Sequence, residues 1–161
     1  MAGLFRGALL YAMVGEISAR WTFLEQLLDS CIATLADLSP DLTACISAQM
    51  MGHTPRCLTI KAIARWRGLP DIEKAAEKLS RKLFDVVELR NRAIHDRILF
   101  ETKEQKPYRS HQMSKKELHY GLKPFDEEEF KRALVLIEDR RKECANLLTL
   151  IREQVYDYSE P

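Results

Sequence analysis

Residues 70–98 read PDIEKAAEKLSRKLFDVVELRNRAIHDRI, and this segment does more than any other to set the predicted architecture. Its apolar side chains recur at steps of three and four residues, which is the period of one helix face. They are Leu79, Leu83, Val86, Val87, Ile94 and Ile98. Asp71 and Glu73 supply an acidic first turn, which favours a helix start at that point. The segment therefore predicts one long amphipathic helix that continues to Ile98.

The same spacing predicts helices on either side of this one. Pro40 ends the first helix, because proline cannot continue the hydrogen-bond ladder and disfavours helical geometry in the residue before it. Thr54 has the character of an N-cap, and so has Asp126 ahead of the last helix. The predicted bounds are 8–38, 55–67 and 127–154 for three long helices and 42–51 for a short one.

Residues 98–124 lose the helical period and gain β-branched, aromatic and polar side chains, with Pro107 and Gly121 as turn residues. A loop or a small β-hairpin fits this insertion, with residues 98–100 as one candidate strand. Four substantial helices joined by short turns favour an all-α fold, an antiparallel up-and-down four-helix bundle with one short helix added. We expect a single domain over residues 1–161, with the insertion as the wall or lid of a site.

Charge is distributed unevenly along the chain although its net value is only +1. Residues 90–123 hold nine basic and four acidic side chains, whereas residues 124–161 hold six and ten. Three of the four histidines, His95, His111 and His119, also lie in the basic block. A polyanionic partner is therefore expected at this block, and a solvated charged loop is the alternative interpretation.

The composition indicates a globular protein, with 46% hydrophobic and 30% charged residues. We expect neither a signal peptide nor a membrane span, because the sequence contains no apolar run of sufficient length. The cysteines show no zinc-binding spacing, so neither a metal nor another cofactor is expected, and free buried thiols in a reducing cytoplasm are the preferred interpretation. They are Cys31, Cys45, Cys57 and Cys144.

An arginine lies within the apolar stripe of the 70–98 helix. With Asn91 as angular zero and an advance of about 100° per residue, the stripe centres near about −80° and Arg90 lies at about −100°. Asn91 and His95 are neighbours on the edge of the stripe, since His95 lies at about 40°. Glu88, at about 60°, borders the charged face.

A guanidinium turned toward a core is costly unless it is paired. Two explanations for Arg90 remain open. A carboxylate of the first helix, such as Glu16 or Glu25, could pair with it in a purely structural role. Alternatively, a site opens between helices or between subunits, where Arg90 binds phosphate through its fork of donors and His95 moves a proton near neutral pH.

Residues 90–95, Arg-Asn-Arg-Ala-Ile-His, match the Arg-Asn-x-x-x-His motif of the HEPN superfamily. The motif also lies where that family places it, late in a helix of an α-helical bundle. The first helix, with Trp21, Glu25 and Leu28 at its centre, resembles the opening helix of the family. The resemblance covers most of the chain in architecture and this hexapeptide in motif.

The resemblance implies a homodimer in which two motif helices bring two copies of the motif into one cleft. Many HEPN proteins are metal-independent endoribonucleases, and several are toxins or phage-defence effectors neutralised by an antitoxin. His95 is then the acid/base for the 2′-hydroxyl or the leaving oxygen, Arg90 holds the scissile phosphate, and Asn91 orients these groups. We expect Glu88 and Glu25 to support the site.

The insertion adds candidate RNA-binding residues, because it mixes aromatic and basic side chains beside the predicted site. They are Arg97, Tyr108, Arg109 and His111. Some toxin members carry a tyrosine two residues after the motif histidine that a partner nucleotidyltransferase modifies, and Arg97 occupies that position here. The alternatives to an RNase acting on single-stranded RNA are a non-catalytic HEPN-like module that binds a nucleotide or a protein, and a plain helical scaffold.

Overall fold

The computed structural model describes residues 2–100, 107–113 and 119–156, without the side chains of residues 2–6, 100, 111–113, 119 and 120. Within those ranges the chain is mostly helical, as expected, and carries one small antiparallel sheet. The elements are α1 (Ala2–Ala36), α2 (Pro40–Ser47), α3 (His53–Trp66), α4 (Pro70–His95), β1 (Arg97–Phe100), β2 (Pro107–Met113), β3 (His119–Pro124) and α5 (Glu127–Tyr156).

Local hydrogen bonds explain where several helices begin. The carboxylate of Asp126 accepts a hydrogen bond from the Glu128 N–H at 2.9 Å, which confirms the predicted cap of α5. The hydroxyl of Ser39 accepts one from the Leu42 N–H at 3.3 Å at the start of α2. α3 begins at His53, two residues earlier than predicted, so the predicted N-cap at Thr54 was wrong: Gly52 holds that position, with a φ of 79° that favours glycine.

The four longer helices bury their apolar stripes in one core. Leu79, Leu83 and Val86 of α4 are buried as predicted, whereas Val87 and Ile94 are partly buried. α4 packs mainly against α3 and α5, and α1 completes the core. The fully buried residues of α1 are Ile17, Leu24, Leu28, Cys31 and Leu35. Each buried Leu or Ile side chain contributes about 1.5–3 kcal/mol of transfer free energy, so this shared core holds the four long helices together.

α1 and α3 run in the same direction, which corrects the predicted up-and-down alternation. Asp29 pairs with Arg56 near the start of α3, with 2.7 Å between Oδ1 and Nε. Further along both helices, the Leu35 carbonyl accepts a hydrogen bond from Arg67 Nη1 at 2.7 Å. After α1 ends, the short helix α2 runs back along α1. α3 therefore begins beside α1 and runs in the same direction as α1.

α1 and α5 also run in the same direction. Leu10 and Glu127, near their starts, line one cavity, and Thr34 and Val155, near their ends, line another. α3 and α4 are antiparallel, since Arg65 near the end of α3 pairs with a residue in the first turn of α4. The long helices α1, α3 and α5 therefore run in one direction, and α4 runs in the opposite direction.

α4 ends at His95, and the chain enters β1 two residues later. The predicted helix end at Ile98 was therefore wrong, although residues 98–100 do form a strand as expected. The insertion folds as a three-stranded antiparallel sheet in the order β1-β2-β3 instead of a single hairpin. Arg97 pairs in register with Ser110, and His111 pairs with Gly121. The Phe125 N–H donates to the Pro107 carbonyl at 3.0 Å, which ties the sheet to the start of α5.

Three of the four cysteines are buried free thiols, as predicted, but Cys45 is exposed. Burial raises the pKa of Cys31 to about 12 and that of Cys57 to about 11. These two thiols are therefore protonated and unreactive at neutral pH. Among the residues that the structure describes, no helix is both long and apolar enough to cross a membrane.

Candidate functional site at the end of helix α4

The motif occupies the last two turns of α4, immediately before the sheet. His95 is the final helical residue and its side chain is exposed. The helix is closed by Asp96, whose N–H donates to the Arg92 carbonyl at 3.2 Å. Within the described part of the chain, the His95 imidazole makes no hydrogen bond or ion pair. It is therefore open to a group that arrives from outside.

Four exposed side chains of α4 share one side of the helix, which we call the motif face: Phe84, Glu88, Asn91 and His95. Their spacing of four, three and four residues keeps them within about 60° of one another. Phe84 is 70% exposed, an uncommon position for a large aromatic side chain. An apolar anchor thus lies beside the polar motif residues on one continuous surface.

Arg90 lies beside the motif face and is half-buried. Its guanidinium carbon is 5.7 Å from the centroid of the Trp21 ring, and its Nη1 donates to Asn91 Oδ1 at 2.9 Å. Its Nε is buried and has no hydrogen-bond partner among the described residues. Asn91 therefore orients the guanidinium through Nη1, while Nε is held in place without an acceptor.

The structural explanation for Arg90, a carboxylate from α1, is not what the structure contains. Glu16 pairs with Arg20 one turn away on α1. Glu25 lies 4.0 Å from Nη1 of Arg56, on α3. Within the described residues no carboxylate forms an ion pair with Arg90, so its positive charge is not neutralised. Glu25, which we expected beside the motif, belongs instead to the surroundings of Arg56.

Trp21 lies beneath Arg90 and is itself in contact with His53. Trp21 is only 3% exposed, and its ring meets the His53 ring edge-on, with centroids 6.0 Å apart and planes at 84°. Burial lowers the pKa of His53 below its ordinary value, so its imidazole stays neutral at pH 7. The sequence placed Trp21 on the apolar stripe of α1 but carried no signal that this stripe would face Arg90.

Glu88 pairs with Arg92 one turn further along α4. The Glu88 carboxylate is exposed, and it is directed toward Arg92 as one half of an i,i+4 ion pair on the helix surface. Exposed pairs of this type contribute about 0.3–0.5 kcal/mol. Within the structure, the role of Glu88 is to hold Arg92, and any support that it gives to the motif is indirect.

Arg109 was predicted to bind RNA, and the structure corrects this. Its side chain is buried; Nε lies 3.1 Å from Asp96 Oδ2, and Nη2 lies 2.9 Å from Glu129 Oε2. We call these three residues the Arg109 cluster. It joins β2 to the end of α4 and the first turn of α5. The two carboxylates occupy N–H donors that a phosphate would need, and this favours a structural role for Arg109 over contact with RNA.

The other candidate RNA-binding residues lie on the sheet next to the motif. Arg97 is exposed at the start of β1, two residues after His95. Tyr108 is half-buried in β2 and opposite Leu99 of β1. The backbone of His111 belongs to β2, but its side chain lies outside the described residues. Arg97 and Tyr108 therefore remain candidates for contact with a bound strand.

Two residues near the motif were missed from sequence. Asp96 directly follows the motif histidine, and its acidic side chain among basic neighbours was a local signal for an ion pair. Glu129 lay unremarked within the acidic first turn of α5, since nothing in the sequence distinguishes it from Glu127 or Glu128. Both missed residues pair with Arg109, and these ion pairs hold the chain in place where it leaves α4.

The described residues contain no group of three or more His, Cys, Asp or Glu side chains that could hold a metal ion. Comparison of the chain with models of protein families, with curated proteins and with solved structures finds no match.

Proposed function

We propose that the protein is a HEPN-like, metal-independent endoribonuclease acting on single-stranded RNA, with a composite site formed by the α4 helices of a homodimer. The observation that carries the proposal is Arg90, a half-buried guanidinium without a carboxylate partner among the described residues, held within the motif. A phosphodiester supplies the anionic oxygens that such a fork binds. Arg97 and Tyr108 extend the binding surface along the RNA.

The proposed reaction needs one base and one acid. His95 accepts the proton of the 2′-hydroxyl, the 2′ oxygen attacks phosphorus, and the bond from phosphorus to the 5′ oxygen breaks. The partner subunit's His95 donates a proton to that leaving oxygen. The products are a 2′,3′-cyclic phosphate and a free 5′-hydroxyl. Arg90 stabilises the negative charge that develops on the phosphoryl oxygens.

The exposed apolar side chain of the motif face supports the proposed homodimer. Phe84 is exposed about three turns before His95 on the same side of α4, so two α4 helices that lie side by side in the same direction can bury Phe84 against Phe84 and also bring their motifs together. Large aromatic side chains are typical anchors of protein interfaces. In the cell, such an enzyme acts as a toxin or a phage-defence effector, and an antitoxin partner restrains it.

The experiment measures cleavage of a labelled single-stranded RNA in the presence of EDTA. The wild type cuts the RNA and leaves a 2′,3′-cyclic phosphate, while His95→Ala and Arg90→Ala abolish cleavage and keep the dimer. Arg81→Ala, on an exposed part of α4, is the matched control and retains activity. Cleavage by both variants at the wild-type rate contradicts the catalytic assignment.

A second candidate function is a non-catalytic module that binds a nucleotide or an RNA. It is favoured by His95, which has no partner within the described residues to orient its ring, whereas catalytic histidines usually have one. Under this alternative the wild type binds a labelled oligonucleotide but yields no product, and Arg90→Ala still weakens binding.

A further inference from the structure

Arg90 packs against an aromatic ring, whereas the two buried arginines of the described residues pair with carboxylates. Arg56 pairs with Asp29, and Arg109 pairs with two carboxylates of its own cluster. The indole of Trp21 stabilises the Arg90 cation through its π face. A carboxylate would occupy the N–H donors of the guanidinium, whereas a ring face leaves them available.

The ring that supports Arg90 is itself fixed. Trp21 is 3% exposed in the core, and the edge-on contact with His53 limits rotation of the indole. His53 is buried and burial lowers its pKa, so the imidazole that contacts Trp21 is uncharged at neutral pH. Arg90 is therefore held against a rigid, uncharged surface.

We propose that Trp21 is a positioning residue, which orients the Arg90 guanidinium for a phosphate group of a bound nucleic acid strand and leaves its charge unneutralised. This inference rests on the proposed function, since it assigns Trp21 to the same site. Trp21 acts through Arg90 and does not touch the substrate. Its effect on binding therefore depends on whether Arg90 is present.

The test is a double-mutant cycle on binding of a 2′-O-methyl RNA oligonucleotide, which has no 2′-hydroxyl and cannot be cleaved. Trp21→Leu weakens binding about tenfold when Arg90 is present and has no further effect in the Arg90→Ala background. Trp21→Phe keeps a π face and falls between the wild type and Trp21→Leu. Equal weakening in both backgrounds, or none in either, overturns the proposal.

A second measurement does not require any change at Trp21. The chain has two tryptophans, and Trp66 is 85% exposed, so Trp66→Phe leaves Trp21 as the single emitting tryptophan. Saturation with the oligonucleotide is expected to change the Trp21 emission, and Arg90→Ala is expected to remove that change. Unchanged emission at saturation overturns the proposal even if Trp21→Leu does not fold.

The two proposals fail in different ways. Binding with a coupled cycle but without RNA cleavage contradicts the ribonuclease and retains the role of Trp21. Cleavage without coupling between Trp21 and Arg90 retains the ribonuclease and contradicts the positioning role. Absence of both oligonucleotide binding and RNA cleavage by the wild type contradicts both.

Discussion

Arg109 and Arg90 both direct a guanidinium inward near the end of α4, yet their surroundings are opposite. Arg109 is buried between the carboxylates of Asp96 and Glu129, so its charge is compensated within the fold. Arg90 rests on the face of Trp21, and its buried Nε has no acceptor among the described residues. The compensated arginine is held within the fold, and the uncompensated one is the residue that we propose binds a phosphate.

Arg109→Met is expected to have the largest effect on stability. It removes the guanidinium that lies between the carboxylates of Asp96 and Glu129, and removal of one partner of a buried ion pair costs about 3–5 kcal/mol. Urea unfolding measures the loss, with the exposed Arg81→Met as control. If the free energy of unfolding falls by less than about 1 kcal/mol, which is the range of exposed ion pairs, Arg109 is no more important for stability than a surface arginine, and the contrast with Arg90 is lost.

Phe84→Glu is expected to weaken the proposed dimer at least about tenfold without unfolding the protomer. The substitution places a charge on the motif face where an apolar anchor is exposed. Sedimentation equilibrium measures the dissociation constant. Phe23→Glu, at a half-exposed position on α1, is the matched control and is expected to leave the dimer intact. If the Phe84→Glu variant dimerises as well as the wild type, another surface mediates assembly.

Acidification is expected to destabilise the fold through His53. Burial lowers its pKa below 6.5 in the folded state, so the unfolded chain takes up a proton first as the pH falls. The contribution of His53 is complete above pH 6.5 and declines as the pH falls through 6.5 toward the folded-state pKa. Urea unfolding at about pH 7.5 and about pH 5.5, on either side of the ordinary histidine pKa, measures this loss. His53→Gln reduces the pH dependence, and an unchanged slope contradicts the prediction.

Arg90→Met is expected to have the smallest effect on stability, about 1 kcal/mol or less in either direction. The substitution loses the contact with the Trp21 face but also removes the desolvation cost of a cation in an apolar stripe. Parallel urea titrations of Arg90→Met and Arg109→Met compare the two arginines directly. A loss for Arg90→Met as large as that for Arg109→Met assigns Arg90 a structural role.

The helices were largely predictable because burial imposes a period on local sequence. The stripe of α4 and the Asp126 cap are examples. The end of α4 was missed because Ile98, a partly buried residue of β1, happens to continue the helical period. The relative direction of α1 and α3 was missed because it depends on how the short helix α2 packs, and an apolar stripe contains no information about direction.

The candidate site was predictable only where it coincides with a short motif. The position of Arg90 in the stripe was visible by angular counting alone. Its contact with Trp21 and the pairing of Arg109 with Glu129 depend on tertiary packing, which brings together residues far apart in sequence. An arginine in a basic block therefore could not be classified as ligand-binding or structural before its partners were known.

Cleavage of single-stranded RNA in EDTA by Arg90→Lys tests the central claim most directly. Lysine keeps the positive charge but lacks the planar fork that binds two phosphoryl oxygens. The rate is predicted to fall about 100- to 1,000-fold, the usual effect of losing one pre-positioned donor to the transition state, while Arg81→Lys cuts like the wild type. Wild-type cleavage by Arg90→Lys would contradict the assignment of Arg90 as the phosphate-binding group.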